Sequence, residues 1–170
     1  MPIRTIETIE LKWDGPLNTE QLKELTSEID YGIYQVYGTH NVLGDNTLLY
    51  IGIACDQPFS VRFAQHAEWF QHEISDLQIY VGRVGGAAQP PNDQEWTNSI
   101  KTAERLLIYF CSPPYNSQHL NGYGTLTDKV VLNFGKKNRI PFEVSTLFLD
   151  SEYRRFSERW KPFRDLALVK

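Results

Sequence analysis

The chain has 170 residues, 41% of them hydrophobic and 22% charged, with a formal net charge of −4. That length and balance fit one domain, residues 1–170, with room for a real core, and no stretch approaches the roughly 20 apolar residues of a membrane helix. The start, MPIRTIETIE, lacks the apolar core of a secretion signal, and Cys55 and Cys111 have no C-x-x-C partners. These features speak for a cytoplasmic protein with free thiols and against a zinc site or a membrane partner.

In chain order, residues 4–13 alternate loosely through Ile6, Ile9, Leu11 and Trp13, as in an extended opening segment. Asn18 or Thr19 can cap a helix running to about Ile29, with Leu22, Leu25 and Ile29 on one stripe. Residues 31–37 and 47–53 are rich in Tyr, Ile, Val and Leu, and the turn-rich stretch 40–46 between them signals a β-hairpin with a long loop. Pro58 suits the first turn of a helix whose buried face is Phe59, Phe63, Ala67 and Phe70. A third strand is expected at 77–84, followed by a Gly- and Pro-bearing loop at 85–93. From about Asn92 to Phe110 a helix buries Trp96, Ile100, Ala103, Leu107 and Phe110, and Ser112-Pro113-Pro114 ends it. The remainder reads as a short helix near 126–134, an extended piece at 141–149 and a helix at about 151–160.

Charge is unevenly spread. Residues 1–128 carry seven Lys and Arg against 16 Asp and Glu, a net of −9, while residues 129–170 carry ten against five, a net of +5. Local basic surface, not the overall sum, attracts phosphate, so this last third fits either a backbone-docking surface or a solvated charged tail.

Six positions stand out by order and spacing. Gly32-Ile33-Tyr34 precedes Tyr50-Ile51-Gly52; Arg62 and His66 follow in Arg-x3-His spacing; Glu104 sits in Ala103-Glu104-Arg105-Leu106-Leu107; and Asn116 closes Pro113-Pro114-Tyr115-Asn116. Together they resemble the GIY-YIG nuclease family. The resemblance implies an α+β fold: a small three-stranded antiparallel sheet flanked by helices, here spanning residues 31–116, with N- and C-terminal extensions. The 15 residues between Tyr34 and Tyr50 exceed the family's usual spacing, an excess the hairpin loop can absorb.

The resemblance also implies roles. Phosphodiester hydrolysis needs charge neutralised at the phosphoryl group and leaving oxygen, which a hard cation does with one carboxylate and waters; Glu104 is then the ligand of Mg2+ or Mn2+. Arg62, always charged and forked, would clamp the phosphate. Arg62 and His66 fall one turn apart on one helix face, so the imidazole would assist proton removal at the same substrate. Tyr34 is expected as base and Tyr50 as positioner, and Asn116 as a hydrogen-bonding support. Taken singly, each has a plainer account: an exposed helix glutamate, a surface arginine, a partly buried histidine, strand tyrosines packing a core, an Asx-turn asparagine. His40 and His72 are expected as surface residues.

The resulting expectation is a metal-dependent endonuclease acting on DNA, most like the restriction-enzyme branch, with a homodimer if both strands are cut. The alternatives are a structure-specific repair, recombination or mobile-element nuclease, and a nucleic-acid-binding module without catalysis. No separate DNA-binding motif is visible. Docking therefore falls to the loops at 38–47 and 85–95 and to Lys136, Lys137, Arg139, Arg154, Arg155 and Arg159 of the basic C-terminal extension, 117–170.

Overall fold

The strict alternation of Ile9, Leu11 and Trp13 with Glu10, Lys12 and Asp14 does build a strand, β1 (Glu7–Leu17), with the apolar set buried and the charged set exposed. In a computed structural model, which describes residues 5–65, 77–85 and 93–147, this strand is central to the sheet. Asn18 then caps α1 (Thr19–Glu24) in a capping box, accepting from the Gln21 N–H at 2.9 Å while Gln21 Oε1 accepts from the Asn18 N–H at 3.0 Å. The helix stops at Leu25, not Ile29. Asp30 captures the Ser27 N–H and hydroxyl at 2.9 and 2.8 Å, and that local turn displaces the helical ladder.

Strands β2 (Gly32–His40) and β3 (Gly44–Ala54) form a hairpin whose turn is only residues 41–43. The long loop expected at 40–46 is therefore mostly strand. His40 explains the tight reversal: it is half-buried, and its Nδ1 accepts the N–H groups of Val42 and Leu43 at 3.2 Å each. Helix α2 (Phe59–Gln65), strand β4 (Gln78–Val84) and helix α3 (Asp93–Cys111) follow where the sequence places them. Residues 66–76, 86–92 and 148–170, including the expected helix at 151–160, lie outside the described residues.

Residues 126–134 do not form the expected helix. Lys129–Gly135 is strand β5, paired in parallel with β1 from Glu7↔Lys129 to Trp13↔Gly135, and Glu143–Ser145 is β6 beside it. β-Branched Val130 and Val131 favour the extended state. The buried bond from Trp13 Nε1 to Asn133 Oδ1, at 2.9 Å, pins the register across 120 positions of sequence.

The fold class is thereby corrected. The sheet is not small, three-stranded and antiparallel but six-stranded and mixed, ordered β3-β2-β4-β1-β5-β6 and curled into a half-barrel, with few helices. The physical reason is β1. Both of its edges are paired, one antiparallel to β4 and one parallel to β5, so the terminal segments extend the sheet instead of flanking it. Side chains on its two faces make two cores. Leu11, Trp13, Ile33, Tyr37 and Ile51 pack with Ile100, Leu106 and Leu107 of α3. On the other face Tyr34, Val36 and Val81 pack with Leu22 of α1 and Phe59 and Phe63 of α2. Among the described residues no helix is long and apolar enough to cross a membrane.

Candidate active site

The pairing of Tyr34 with Gly52 and of Val36 with Tyr50 puts both motif tyrosines on the α1–α2 face. Their rings lie 6.0 Å apart and tilted by 43°. Gly52 is what lets them meet. A Cβ at that position would stand 2.5 Å from Tyr34 Cζ and Oη and 2.7 Å from Tyr50 Cε1, so the phenol of Tyr34 fills the space a side chain would need. Gly32 answers a different constraint: its φ is +150°, and a Cβ would collide with the Gly82 carbonyl of β4.

Tyr34 is fully buried, its ring 4.7 Å from that of Phe63. Burial pushes its pKa well up and the neighbouring Tyr50 adds to this, while the positive charge of Arg62 pulls it back. The Tyr34 hydroxyl feels Tyr50 and Arg62 but makes no well-formed hydrogen bond among the described residues. Tyr50 is only half-buried. Its pKa is raised too, first by burial and then by the negative charge of Glu104, against Arg62.

Arg62 reaches this group from α2, which Phe59 and Phe63 anchor to the sheet. Among the described residues its side chain makes one long bond, Nη1 to Gln65 Oε1 at 3.4 Å, and its Nε is buried without a partner. Its guanidinium acts on Tyr34, Tyr50 and Glu104 alike.

Glu104 comes from α3, whose Ile100, Ala103 and Leu107 pack the opposite face of the sheet. Because β3 is an outer strand, a group on that helix can approach Tyr50 around the strand's edge. Burial raises the Glu104 carboxyl pKa to about 7, and Arg62, Arg105 and Lys101 restrain the rise. No hydrogen bond or ion pair among the described residues engages its oxygens. A half-buried, unengaged carboxylate that resists ionisation fits a divalent cation, whose charge would restore the ionised form; Mg2+ takes one or two such ligands and keeps waters. Among the described residues no three His, Cys, Asp or Glu side chains gather into a fuller cage.

Asn116 has a defined support. Its Oδ1 accepts the Ile51 N–H at 3.0 Å and its Nδ2 donates to the Ile51 carbonyl at 2.8 Å, while the Tyr115 N–H donates to the Leu49 carbonyl at 3.0 Å. The residues after α3 thus close the outer edge of β3 and hold the backbone between Tyr50 and Gly52.

The structure therefore brings Tyr34, Tyr50, Arg62 and Glu104 together, with Asn116 behind them. His66, Arg154, Arg155 and Arg159 lie outside the described residues, as does His72. Lys136 is exposed at the end of β5, 3.5 Å from Asp14. Lys137 is turned inward, donating to the Ile140 carbonyl at 2.6 Å, and Arg139 donates to the Asn46 carbonyl at 2.9 Å, tying the β5–β6 turn to the hairpin. Sequence reasoning passed over Lys101 and Arg105 beside Glu104. Lys101, three positions earlier on the same helix, carried the usual same-face signal. Comparison with family models, curated proteins and solved structures finds no match to this chain.

Proposed function

We propose that this chain is a metal-dependent endonuclease that hydrolyses DNA phosphodiester bonds through a site of the GIY-YIG type. One observation carries the proposal: Tyr34 of β2, Tyr50 of β3, Arg62 of α2 and Glu104 of α3 converge from four elements, with Gly52 cleared for the phenols and Asn116 bracing the strand between them. That constellation, and not the sheet, is what resembles the family, since the sheet is larger than the resemblance implies.

Glu104 would hold Mg2+ or Mn2+, which supplies charge neutralisation at the phosphoryl oxygens and the leaving 3′-oxygen. Arg62, its guanidinium little engaged, would clamp a non-bridging phosphate oxygen where transition-state charge builds. The burial difference supports exchanging the roles expected for the tyrosines. Tyr34 has no exposed surface from which to meet a water, whereas Tyr50 is half-open and faces Glu104, so Tyr50 orients and deprotonates the attacking water while Tyr34, packed beside it, holds the Tyr50 ring in place. His66, by its spacing from Arg62, is the proposed proton acceptor for the phenol. One site cuts one strand, so double-strand scission takes a homodimer or two successive nicks.

The test is nicking of supercoiled plasmid by purified protein with Mg2+. Glu104→Gln and Arg62→Ala are each expected to lower the rate at least about 100-fold, in the range seen when one charge-stabilising group is removed. Equal nicking by wild type and Glu104→Gln would sink the assignment.

A further inference from the structure

Beside the tyrosine site, on the same face of the sheet, the pairing of β1 with β4 and β5 gathers a second cluster. Lys12 of β1 pairs with Arg83 of β4 and with Phe134 of β5, so the three side chains rise from one face of three neighbouring strands. Lys136 joins them, its backbone N–H held by the Trp13 carbonyl at 3.0 Å. Lys12, Arg83 and Lys136 line a pocket of about 480 Å³ with one acidic member, Asp14. Lys12 makes no ion pair among the described residues. Lys136 meets Asp14 at 3.5 Å with 70% and 59% of the two side chains exposed, a loose pair that an incoming anion can displace. Arg83 is held at 2.6 Å by Asp30 and lies 5.9 Å from the Phe59 ring, which fixes its position.

Next to these cations stands an aromatic surface that the core does not use. Phe134, beside Lys12, is 39% exposed, and Phe142, edge-on to it at 5.2 Å, is 53% exposed. Cations that track a backbone beside an open aromatic ring are the arrangement by which proteins hold single-stranded nucleic acid, since the ring needs an unpaired base to stack on. The pocket sits two strand spacings from Tyr34, across β4 to β1, on the order of 10 Å.

We propose that Lys12, Arg83, Lys136 and Phe134 form a docking track for single-stranded DNA, with a backbone phosphate in the pocket and an adjacent base on Phe134. The identity of the ligand rests on the nuclease proposal: the track would present a strand leading to or from the scissile phosphate, so the substrate is DNA with an unpaired segment. Duplex DNA offers the same phosphates but no free base face.

Binding of a fluorescein-labelled oligothymidylate about 12 nucleotides long to the full chain, by anisotropy in chelator so that no cleavage intervenes, tests this. Lys12→Gln with Lys136→Gln is expected to weaken binding at least about tenfold and to reduce the salt slope by roughly 1.4, the contribution of two single-strand phosphate contacts. Phe134→Ala is expected to weaken it about 5- to 150-fold without changing the salt slope, and Phe134→Tyr to restore it. A duplex of the same length should bind more weakly than the single strand and be indifferent to Phe134. Unchanged oligothymidylate affinity in Phe134→Ala, or duplex and single strand weakened alike, overturns the proposal; tighter binding of oligouridylate overturns its assignment to DNA. The two proposals fail separately, because nicking lost in Glu104→Gln and binding lost in Phe134→Ala are independent readouts.

Discussion

Adding one methyl group at Gly52 strikes the fold and the site at once. The Cβ of Gly52→Ala would stand 2.5 Å from Tyr34 Cζ and Oη and 2.7 Å from Tyr50 Cε1. Relaxed carbon contacts are about 3.5–4.0 Å, so Tyr34 must move by roughly 1 Å. It has little room to do so, being fully buried with Phe63 4.7 Å away. Overpacking of this kind costs about 1–3 kcal/mol. For a chain of this length each kcal/mol lowers Tm by about 2–4 °C, so a drop of roughly 2–12 °C is expected. Displacing both phenols by a comparable distance should slow nicking on the order of 100-fold. Gly122→Ala is the control, because a Cβ there meets nothing within 4 Å. Calorimetry and plasmid nicking on the two variants decide the matter. If Gly52→Ala melts and nicks like Gly122→Ala, the claim that Tyr34 occupies the space over Gly52 is wrong.

Three more expectations follow from named contacts. Asn116→Ala leaves the N–H and carbonyl of Ile51 without their partners, and at about 1–3 kcal/mol for an unsatisfied buried group it should lower stability in denaturant titrations while slowing nicking through Tyr50. Asp30→Asn breaks the partly buried pair with Arg83, at a cost of about 3 kcal/mol near neutral pH. Burial alone would raise the Asp30 pKa, but the Arg83 and Ser27 bonds outweigh it and hold the group below the ordinary carboxylate range. Its stabilising contribution is therefore present above about pH 4 and lost as pH falls through the lowered value, so melts of wild type and variant should converge in acid and stay apart at neutral pH. Glu104 has the opposite sign. With its folded pKa raised to about 7, the folded state holds the proton more tightly than the unfolded chain, and stability falls as pH rises from about 4.5 to 7. Glu104→Gln should thus melt higher than wild type at pH 8 in chelator, and Mg2+ should raise Tm in wild type alone; a Mg2+ effect surviving in the variant would remove Glu104 as the ligand.

The membership of the candidate site was legible in part, because the signals that mark these residues depend on residue type and local spacing. The two tripeptides, Arg62, Glu104 on its amphipathic helix and Asn116 after Pro113-Pro114 are all local signals, and α3 and the strands around Tyr34 and Tyr50 emerged near their expected positions. The difference between the two tyrosines was not legible. Tyr34 and Tyr50 look alike in a strand, and only the packing of Phe63 over one and the nearness of Glu104 to the other separates them.

The amino-acid order alone determined which side chains alternate and which repeat every turn, since period is a property of neighbouring residues. Tertiary structure alone decided the sheet. The hydrogen-bonding edges of β1 carry no mark in the sequence that says which strand, 70 or 120 positions away, will take them, and burial of Trp13 against Asn133 made β5 a strand where the local pattern suggested a helix. The juxtaposition of Lys12, Arg83 and Phe134 has the same origin, because three residues far apart in the chain become neighbours only through strand register.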